Sequence, residues 1–207
     1  MKTRCYIAAA GEYSGRETPG ERDYIIAADG GYALLHRRGI VPDLVVGDFD
    51  SLGTAPEHPN VVRLLAEKDD TDTMLAVRHG LRLGYKDFVI DGGLGGRLDH
   101  TIANIQVLAY LAENGARGIL LGSDMCVTVI KSGSVGFSQD AAGIVSVFCF
   151  GGRAEGVTLT GMKYPLSDAT LASSFPLGVS NEFTGEPAAV TVREGTLIII
   201  WQDGNII

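Results

Sequence analysis

The chain has 207 residues, 45% of them hydrophobic and 20% charged, with a formal net charge of −8. That length allows one large domain or two modest ones, each with a real core. The acidic balance argues against nucleic-acid binding and against an anionic membrane surface, which both need a basic face, so a polyanion bound here needs metal to offset its charge.

Along the first 124 residues short apolar runs alternate with helical patterns. Cys5–Ala10, Tyr24–Ala28, Leu44–Val46, Val61–Leu65, Phe88–Ile90 and Gly118–Leu121 are apolar on both faces and mostly end in glycine or aspartate. Strands of a parallel sheet covered on both sides have this character. Tyr32–Arg38, Thr71–Leu83 and His100–Asn114 carry the helical period, with Gly84 and Gly115 standing as C-terminal stops for the last two. The succession predicts a doubly wound, mostly parallel α/β domain over residues 1–124. From Met125 onward the pattern changes to short β-like runs between glycine, proline, serine and aspartate. Residues 125–207 are therefore predicted to form an antiparallel β-sandwich, with Glu194-Gly195 as a tight hairpin before the last strand.

Cys5, Cys126 and Cys149 are far apart, lie in apolar runs and form no CxxC pair. Buried free thiols in a reducing compartment fit them better than a zinc site. No basic leader precedes an apolar run, and no stretch approaches the ~18 residues of a membrane span. The expectation is a cytoplasmic protein with no membrane partner.

Three segments concentrate carboxylates and glycine just after predicted strands: Gly47–Ser51 (GDFDS), Lys68–Asp72 (KDDTD) and Gly92–His100 (GGLGGRLDH). The carboxyl ends of parallel strands are where such sheets keep their ligand crevice. Asp48 and Asp50, two apart in extended chain, can project to one side and offer oxygen donors to a hard cation such as Mg²⁺. A plain Asp/Ser turn accounts for that segment equally simply. Asp69, Asp70 and Asp72 form a second cluster, in which Thr71 is placed to cap the following helix. Four glycines in five positions then let backbone approach a ligand, Arg97 supplies a fork suited to phosphate, and Asp99 opens the next helix. Asp29-Gly30-Gly31 after the second strand reads either as a turn or as a nucleotide contact. There is no Walker loop, no sound dinucleotide fingerprint and no nucleophile elbow, so the usual NTPase, dinucleotide and serine- or cysteine-hydrolase readings lack support.

With these segments in place, the chain resembles the thiamine pyrophosphokinase family. The matching residues are Asp29-Gly30-Gly31, GDFDS at 47–51, DDTD at 69–72, GGRLDH at 95–100, GMKYPL at 161–166, SNEF at 180–183 and Trp201, in family order over nearly the whole length. Met162 stands where leucine is commoner. The resemblance implies Mg²⁺-dependent transfer of the pyrophosphoryl group of ATP to the hydroxyl of thiamine, giving thiamine diphosphate and AMP. It also implies a homodimer with the active cleft between the α/β domain of one subunit and the sandwich of the other. Carried over by position, Asp48, Asp50, Asp72 and Asp99 fall at the metal and phosphate site. Asp29, Gly30, Gly31, Gly95, Gly96 and Arg97 fall at the nucleotide site, and Ser180, Asn181 and Trp201 at the thiamine site. Asp99 is a candidate to orient or deprotonate the hydroxyl, or to bind metal. Trp201 is a candidate to stack on the cationic vitamin, although core packing explains a tryptophan in an apolar strand just as directly. The rival functions are a diphosphokinase for another hydroxymethyl heterocycle of the pterin type, a metal-dependent phosphohydrolase and a non-catalytic Mg-nucleotide-binding module.

Overall fold

Apolar runs too short for helices, and unpatterned by polar residues, gain cover only as strands in the middle layer of a sandwich of helices. The computed structural model, which describes residues 2–49, 57–63 and 70–203, realises this in the first of two compact units, Met1–Ser123. Its elements are β1 (Arg4–Ala8), β2 (Asp23–Ala28), α1 (Gly31–Arg37), β3 (Leu44–Gly47), β4 (Val61–Arg63), α2 (Asp72–Arg82), β5 (Asp87–Asp91), α3 (Leu98–Glu113) and β6 (Arg117–Leu121). All pairings within the unit are parallel, in the order β6-β5-β1-β2-β3-β4. Cys5, Tyr6, Ile7, Ile26, Val45 and Ile90 are fully or almost fully buried, as strands covered on both faces require.

The chain leaves β1 toward β4 and returns through α2 to β5 on the other side of β1. Right-handed crossovers then place α1 on one face and α2 with α3 on the other. α2 packs on β1, β2, β3 and α3. The return creates a reversal of strand order between β1 and β5 at the carboxyl edge of the sheet. The α1 entry is very tight. A Cβ on Gly31 would stand 2.0 Å from the Ala8 carbonyl oxygen, so only glycine lets α1 lie this close to the end of β1.

The second unit, Asp124–Ile207, holds β7 (Cys126–Lys131), β8 (Ser134–Phe137), β9 (Ala142–Cys149), β10 (Arg153–Thr160), β11 (Leu166–Ala172), β12 (Gly178–Glu182), β13 (Ala188–Thr191) and β14 (Thr196–Asp203). They pair antiparallel as β12-β9-β14-β7 and β11-β10-β13-β8. Between the two sheets the Phe137 ring meets Trp201 edge-on at 5.5 Å and Phe183 at 5.1 Å. The fold is thus an α/β unit with a mostly parallel sheet followed by an antiparallel β-sandwich. Among the described residues no helix is long and apolar enough to cross a membrane.

One local expectation fails. Glu194-Gly195 is no hairpin, because β13 pairs with β10 and β8 whereas β14 pairs with β7 and β9. The segment is a crossover between the two sheets. Glu194 bridges to Glu155, and a Cβ on Gly195 would lie 2.7 Å from the Arg153 carbonyl, so glycine is there for close passage across β10. Turn chemistry marked the bend correctly and carried no information about which sheet the chain enters next.

Replacing Gly31 by alanine is expected to cost about 1–3 kcal/mol, since the added methyl meets strand backbone rather than a yielding side chain. Urea denaturation with an unchanged m-value would register it; a midpoint equal to that of the parent would show that α1 can shift freely.

Candidate active site

At the carboxyl edge of the first unit, the ends of β1, β2 and β5 and the N-termini of α2 and α3 enclose a cavity of about 430 Å³. Its walls are Ala9–Gly11, Ala28-Asp29, Thr71–Thr73, Gly92-Gly93, Gly95–Arg97, His100, Ala103 and Asn104. Two of the three carboxylate-and-glycine segments, KDDTD and GGLGGRLDH, therefore meet Asp29 of the Asp29-Gly30-Gly31 motif around one hollow at the strand reversal, whereas Asp48 of the GDFDS segment does not line it.

Each wall has a local cause. Asp29 adopts a left-handed backbone (φ +47°), which aspartate tolerates better than most side chains, and its N–H donates to the Val46 carbonyl at 2.8 Å. That bond ties the end of β2 to the end of β3, where Asp48 follows. The next residue, Phe49, is also left-handed (φ +61°), a conformation costing roughly 1–3 kcal/mol for a bulky side chain. Its buried ring lies against Gly47, where an added Cβ would come within 3.1 Å of it, and this anchors the turn. Thr71 caps α2, its hydroxyl accepting from the Met74 N–H at 3.2 Å, and sets Asp72 as the first helical residue beside the cavity. Asp70 turns outward to pair with Arg78.

The glycine loop forms the opposite wall. Asn104, buried on α3, donates through Nδ2 to the Gly93 carbonyl at 2.8 Å and fixes the root of the loop. Gly95 and Gly96 have φ of +83° and +66°, and nothing lies within 4 Å of a Cβ built on Gly96. Among the described residues, none accepts a hydrogen bond from the N–H of Gly93, Leu94, Gly95 or Gly96. Consecutive unengaged amides with left-handed glycines make a nest suited to anionic oxygens.

Arg97 lines the cavity and binds Asp99 with both arms, Nε to Oδ1 at 3.1 Å and Nη2 to Oδ2 at 2.6 Å. This guanidinium holds the exposed Asp99 carboxyl below the usual carboxylate range, aided by the His100 N–H. Asp99 itself is not among the cavity-lining residues, and a carboxylate with a lowered pKa is a weaker proton acceptor. Gly30 stands next to the cavity with its Cα hydrogens toward Ala10, where an added Cβ would come within 3.1 Å of the Ala10 methyl.

The chemistry of the acidic set fits a hard divalent cation: Asp48 and Asp72 offer carboxylate oxygens at the same sheet edge as the phosphate-type nest. Among the described residues no group of three His, Cys, Asp or Glu side chains gathers closely enough to hold a metal ion. Asp50, the further donor expected from sequence, lies outside the described residues, as does Asp69.

The three remaining predicted residues lie in the second unit. Asn181 is buried; its Oδ1 accepts from the Tyr164 and Glu182 N–H groups at 2.9 Å each and its Nδ2 donates to the Tyr164 carbonyl at 2.8 Å. Ser180 is exposed with φ +57°, and its N–H donates to the Ser146 hydroxyl at 3.1 Å. Trp201 is only 2% exposed, its ring packed with Phe137 in the core, which is the packing role rather than an open stacking face.

Comparison with known proteins agrees with this assembly. Residues 17–120 match the thiamin pyrophosphokinase catalytic-domain model, and residues 135–197 match the vitamin B1 binding-domain model of the same family. The chain belongs to the thiamin pyrophosphokinase family. The thiamine pyrophosphokinase of Bacillus subtilis (strain 168) is 30% identical over 183 residues, covering 84% of this chain and 85% of that protein. Thiamin pyrophosphokinase 1 of Caenorhabditis elegans is 27% identical over 177 residues, 78% of this chain and 72% of that one. The crystal structure of thiamine pyrophosphokinase from Bacillus subtilis superposes with a TM-score of 0.84 at 27% identity, covering 96% of this chain and 99% of that one. This family enzyme is a thiamine diphosphokinase, and the vitamin B1 binding-domain match sets aside the pterin-type alternative.

Sequence reasoning placed Asn104 one turn from His100 on the helix after the glycine loop without a role, and singled out neither Asp91 nor Ser14. Asp91 and Asn104 were visible as polar residues inside apolar periodic segments, DFVID and TIANIQVL.

In a carboxyl-carbon NMR titration, Asp99 is expected to protonate below the ordinary carboxylate range and to move up into it in Arg97→Ala. Because the folded value is lowered, any stability from the pair is present above the ordinary range and lost as pH falls through the lowered value. An unmoved titration would mean the pair does not form in solution. Truncation of Trp201 to alanine is expected to cost about 3–5 kcal/mol in urea denaturation, the range for a fully packed aromatic; a loss below 1 kcal/mol would mean the ring is not part of the core.

Proposed function

We propose that the cavity takes ATP with Mg²⁺ and that the thiamine hydroxyl attacks the β-phosphorus in line. The new bond joins that oxygen to the β-phosphorus, the bond from the β-phosphorus to the bridging oxygen breaks, AMP leaves with that oxygen, and the hydroxyl proton passes to solvent. The observation carrying this reading is the convergence of Asp29, Asp72, Arg97 and the Gly95-Gly96 amides on one hollow at the strand reversal. Phosphoryl-type transfer depends on positioning and charge stabilisation more than on a protein nucleophile, and this wall supplies both.

On this reading the amides of residues 93–96 hold phosphate oxygens, with Gly30 and Gly31 allowing the β1 and β2 ends to close around the nucleotide. Arg97 leaves part of its bond to Asp99 to meet charge on the transferred group. Asp99 orients the guanidinium, and its lowered pKa supports that role over general base. Asp48, Asp50 and Asp72 would hold Mg²⁺, which when bound neutralises the triphosphate. In the second unit Ser180 would present the polar contact to thiamine. Asn181 would fix the Tyr164 segment beside it, and Trp201 would support that surface from beneath. The buried thiols of Cys5, Cys126 and Cys149, none of them in a disulfide, support a cytoplasmic setting. Burial pushes the Cys5 thiol up to about 12, which keeps it inert. The exposed apolar side chains of Ile144, Phe175, Leu177 and Val179 on or beside the edge strand β12 support a homodimer.

Purified protein given thiamine, ATP and Mg²⁺ is expected to form AMP and thiamine diphosphate in equal amounts. Asp72→Asn should lower kcat by at least about 100-fold with the melting temperature within a few degrees of the parent. Phosphate release without thiamine, or near-parental turnover in Asp72→Asn, would remove this reading.

A further inference from the structure

We infer that Asp91 is a positioning residue for the nucleotide, a buried carboxylate that clamps the loop after β1 to the glycine loop after β5. The inference rests on the reading of the cavity as the nucleotide site.

Asp91 ends β5 and is fully buried. Its Oδ1 accepts from the Gly92 N–H and the Ser14 N–H, both at 2.8 Å. Its Oδ2 accepts from the Ser14 hydroxyl at 2.9 Å and from the Tyr6 hydroxyl at 3.0 Å. An ionised carboxylate only accepts, and here four donors occupy both of its oxygens. The donors come from three places: β1 through Tyr6, the loop after β1 through Ser14, and the glycine loop through Gly92. Burial and the Asp91 charge push the Tyr6 hydroxyl well above its ordinary pKa, so it remains a donor.

The clamp acts on the cavity wall rather than on the core. Backbone bonds run from Ala9 N–H to the Asp91 carbonyl at 2.7 Å and from Gly11 N–H to the Gly92 carbonyl at 2.9 Å. The two loops touch so closely that a Cβ on Gly11 would lie 2.4 Å from the Gly92 oxygen, and one on Gly92 2.6 Å from the Ala9 oxygen. Ala9, Gly11 and Gly92 all line the cavity. Beyond the contact, Arg16 donates through Nε to the Gly122 carbonyl at 2.8 Å, so Ser14 lies between two fixed points along the strand ends. Ser14 alone supplies two of the four donors. Loss of the carboxylate therefore releases Ser14 and leaves the Ala9–Asp91 and Gly11–Gly92 backbone bonds to hold the two walls together.

The test compares binding of α,β-methylene-ATP with Mg²⁺, measured by calorimetry, with KM for thiamine in Ser14→Ala, Asp91→Ala, Asp91→Asn and Arg97→Ala. Asparagine can accept from the two N–H groups and turn its amide toward the two hydroxyls, so it should restore most of the clamp. Expected are a Kd rise of about tenfold in Asp91→Ala, a smaller rise in Ser14→Ala, and near-parental binding in Asp91→Asn, all with thiamine KM unchanged. If Arg97→Ala weakens binding while Ser14→Ala and Asp91→Ala do not, the clamp is refuted and the nucleotide site stands. If Arg97→Ala and Asp91→Ala both leave binding unchanged, the nucleotide site and the clamp fall together. Should Asp91→Ala fail to fold, parental binding in Ser14→Ala refutes the clamp on its own.

Discussion

Everything at the carboxyl edge of the first unit depends on how β1 and β5 end side by side. β1 runs out at Ala8 and β5 at Asp91, and the chain leaves them in different directions because the strand order reverses there. Neighbouring strands with diverging exits leave a gap that a helix crossover does not fill. The gap is bounded by backbone, so its width is set by how near two main chains can come. Glycine at 11 and 92 sets that width, since either residue with a Cβ would overlap a carbonyl across the gap. The same demand recurs at Gly31, where α1 starts almost on top of β1. The glycines of this region thus serve three separate ends: close approach at 11, 31 and 92, left-handed turning at 95 and 96, and the Phe49 anchorage at 47.

Electrostatics in the site follow from a shortage of cations. The net charge is −8, and Arg97 is the arginine that lines the cavity. Its guanidinium is already engaged by Asp99, so an arriving phosphate competes with a carboxylate for the same fork. Competition of this kind makes binding depend on other positive potential nearby. The amides of the glycine loop and the N-terminus of the 16-residue α3 supply part of it, and on the proposed reading a divalent cation held by the aspartates would supply the rest. An exposed Arg–Asp pair is also weak and geometrically loose, which lets the guanidinium change partners at little cost. On the proposed reading the arrangement would favour a ligand that brings its own metal over a bare anion.

The sequence made the layered architecture readable because burial on two faces leaves an unmistakable mark: CYIAAA, YIIAA and FVI have no polar alternation. Helix ends were legible for the same kind of reason, with Thr71 at one end of α2 and Gly84 beyond the other. What sequence left open was pairing at a distance. Glu194-Gly195 has good turn chemistry, and nothing local distinguishes a hairpin from a crossover between stacked sheets. The site divides in the same way. Asp29, Asp72 and Arg97 stand in compact motifs and reach one cavity, whereas the Asp91 constellation draws on residues 6, 14 and 91, whose meeting only the β1–β5 pairing reveals. Asp48 stands in a compact motif too but does not line the cavity, and its setting beside a left-handed, buried Phe49 was not legible, because hydrophobic residues rarely take that conformation.

Trp201 and Asn181 are both buried, and each holds the structure of its motif. Trp201 sits opposite Cys126 and Val145 on neighbouring strands and fills the space between sheets with Phe137 and Phe183. Asn181, two residues before Phe183, spends its amide on the backbone of Tyr164, and Lys163 pairs with Glu182 alongside. The segments 161–166 and 180–183 are therefore one structural object, joined by an isolated bridge between Met162 and Phe183. Ser180, exposed and left-handed, lies on the edge strand β12 within the register irregularity between Gly178 and Asn181. One buried amide and one buried indole thus fix the shape of this strand edge from within, because each is held by packing or by backbone hydrogen bonds rather than by solvent.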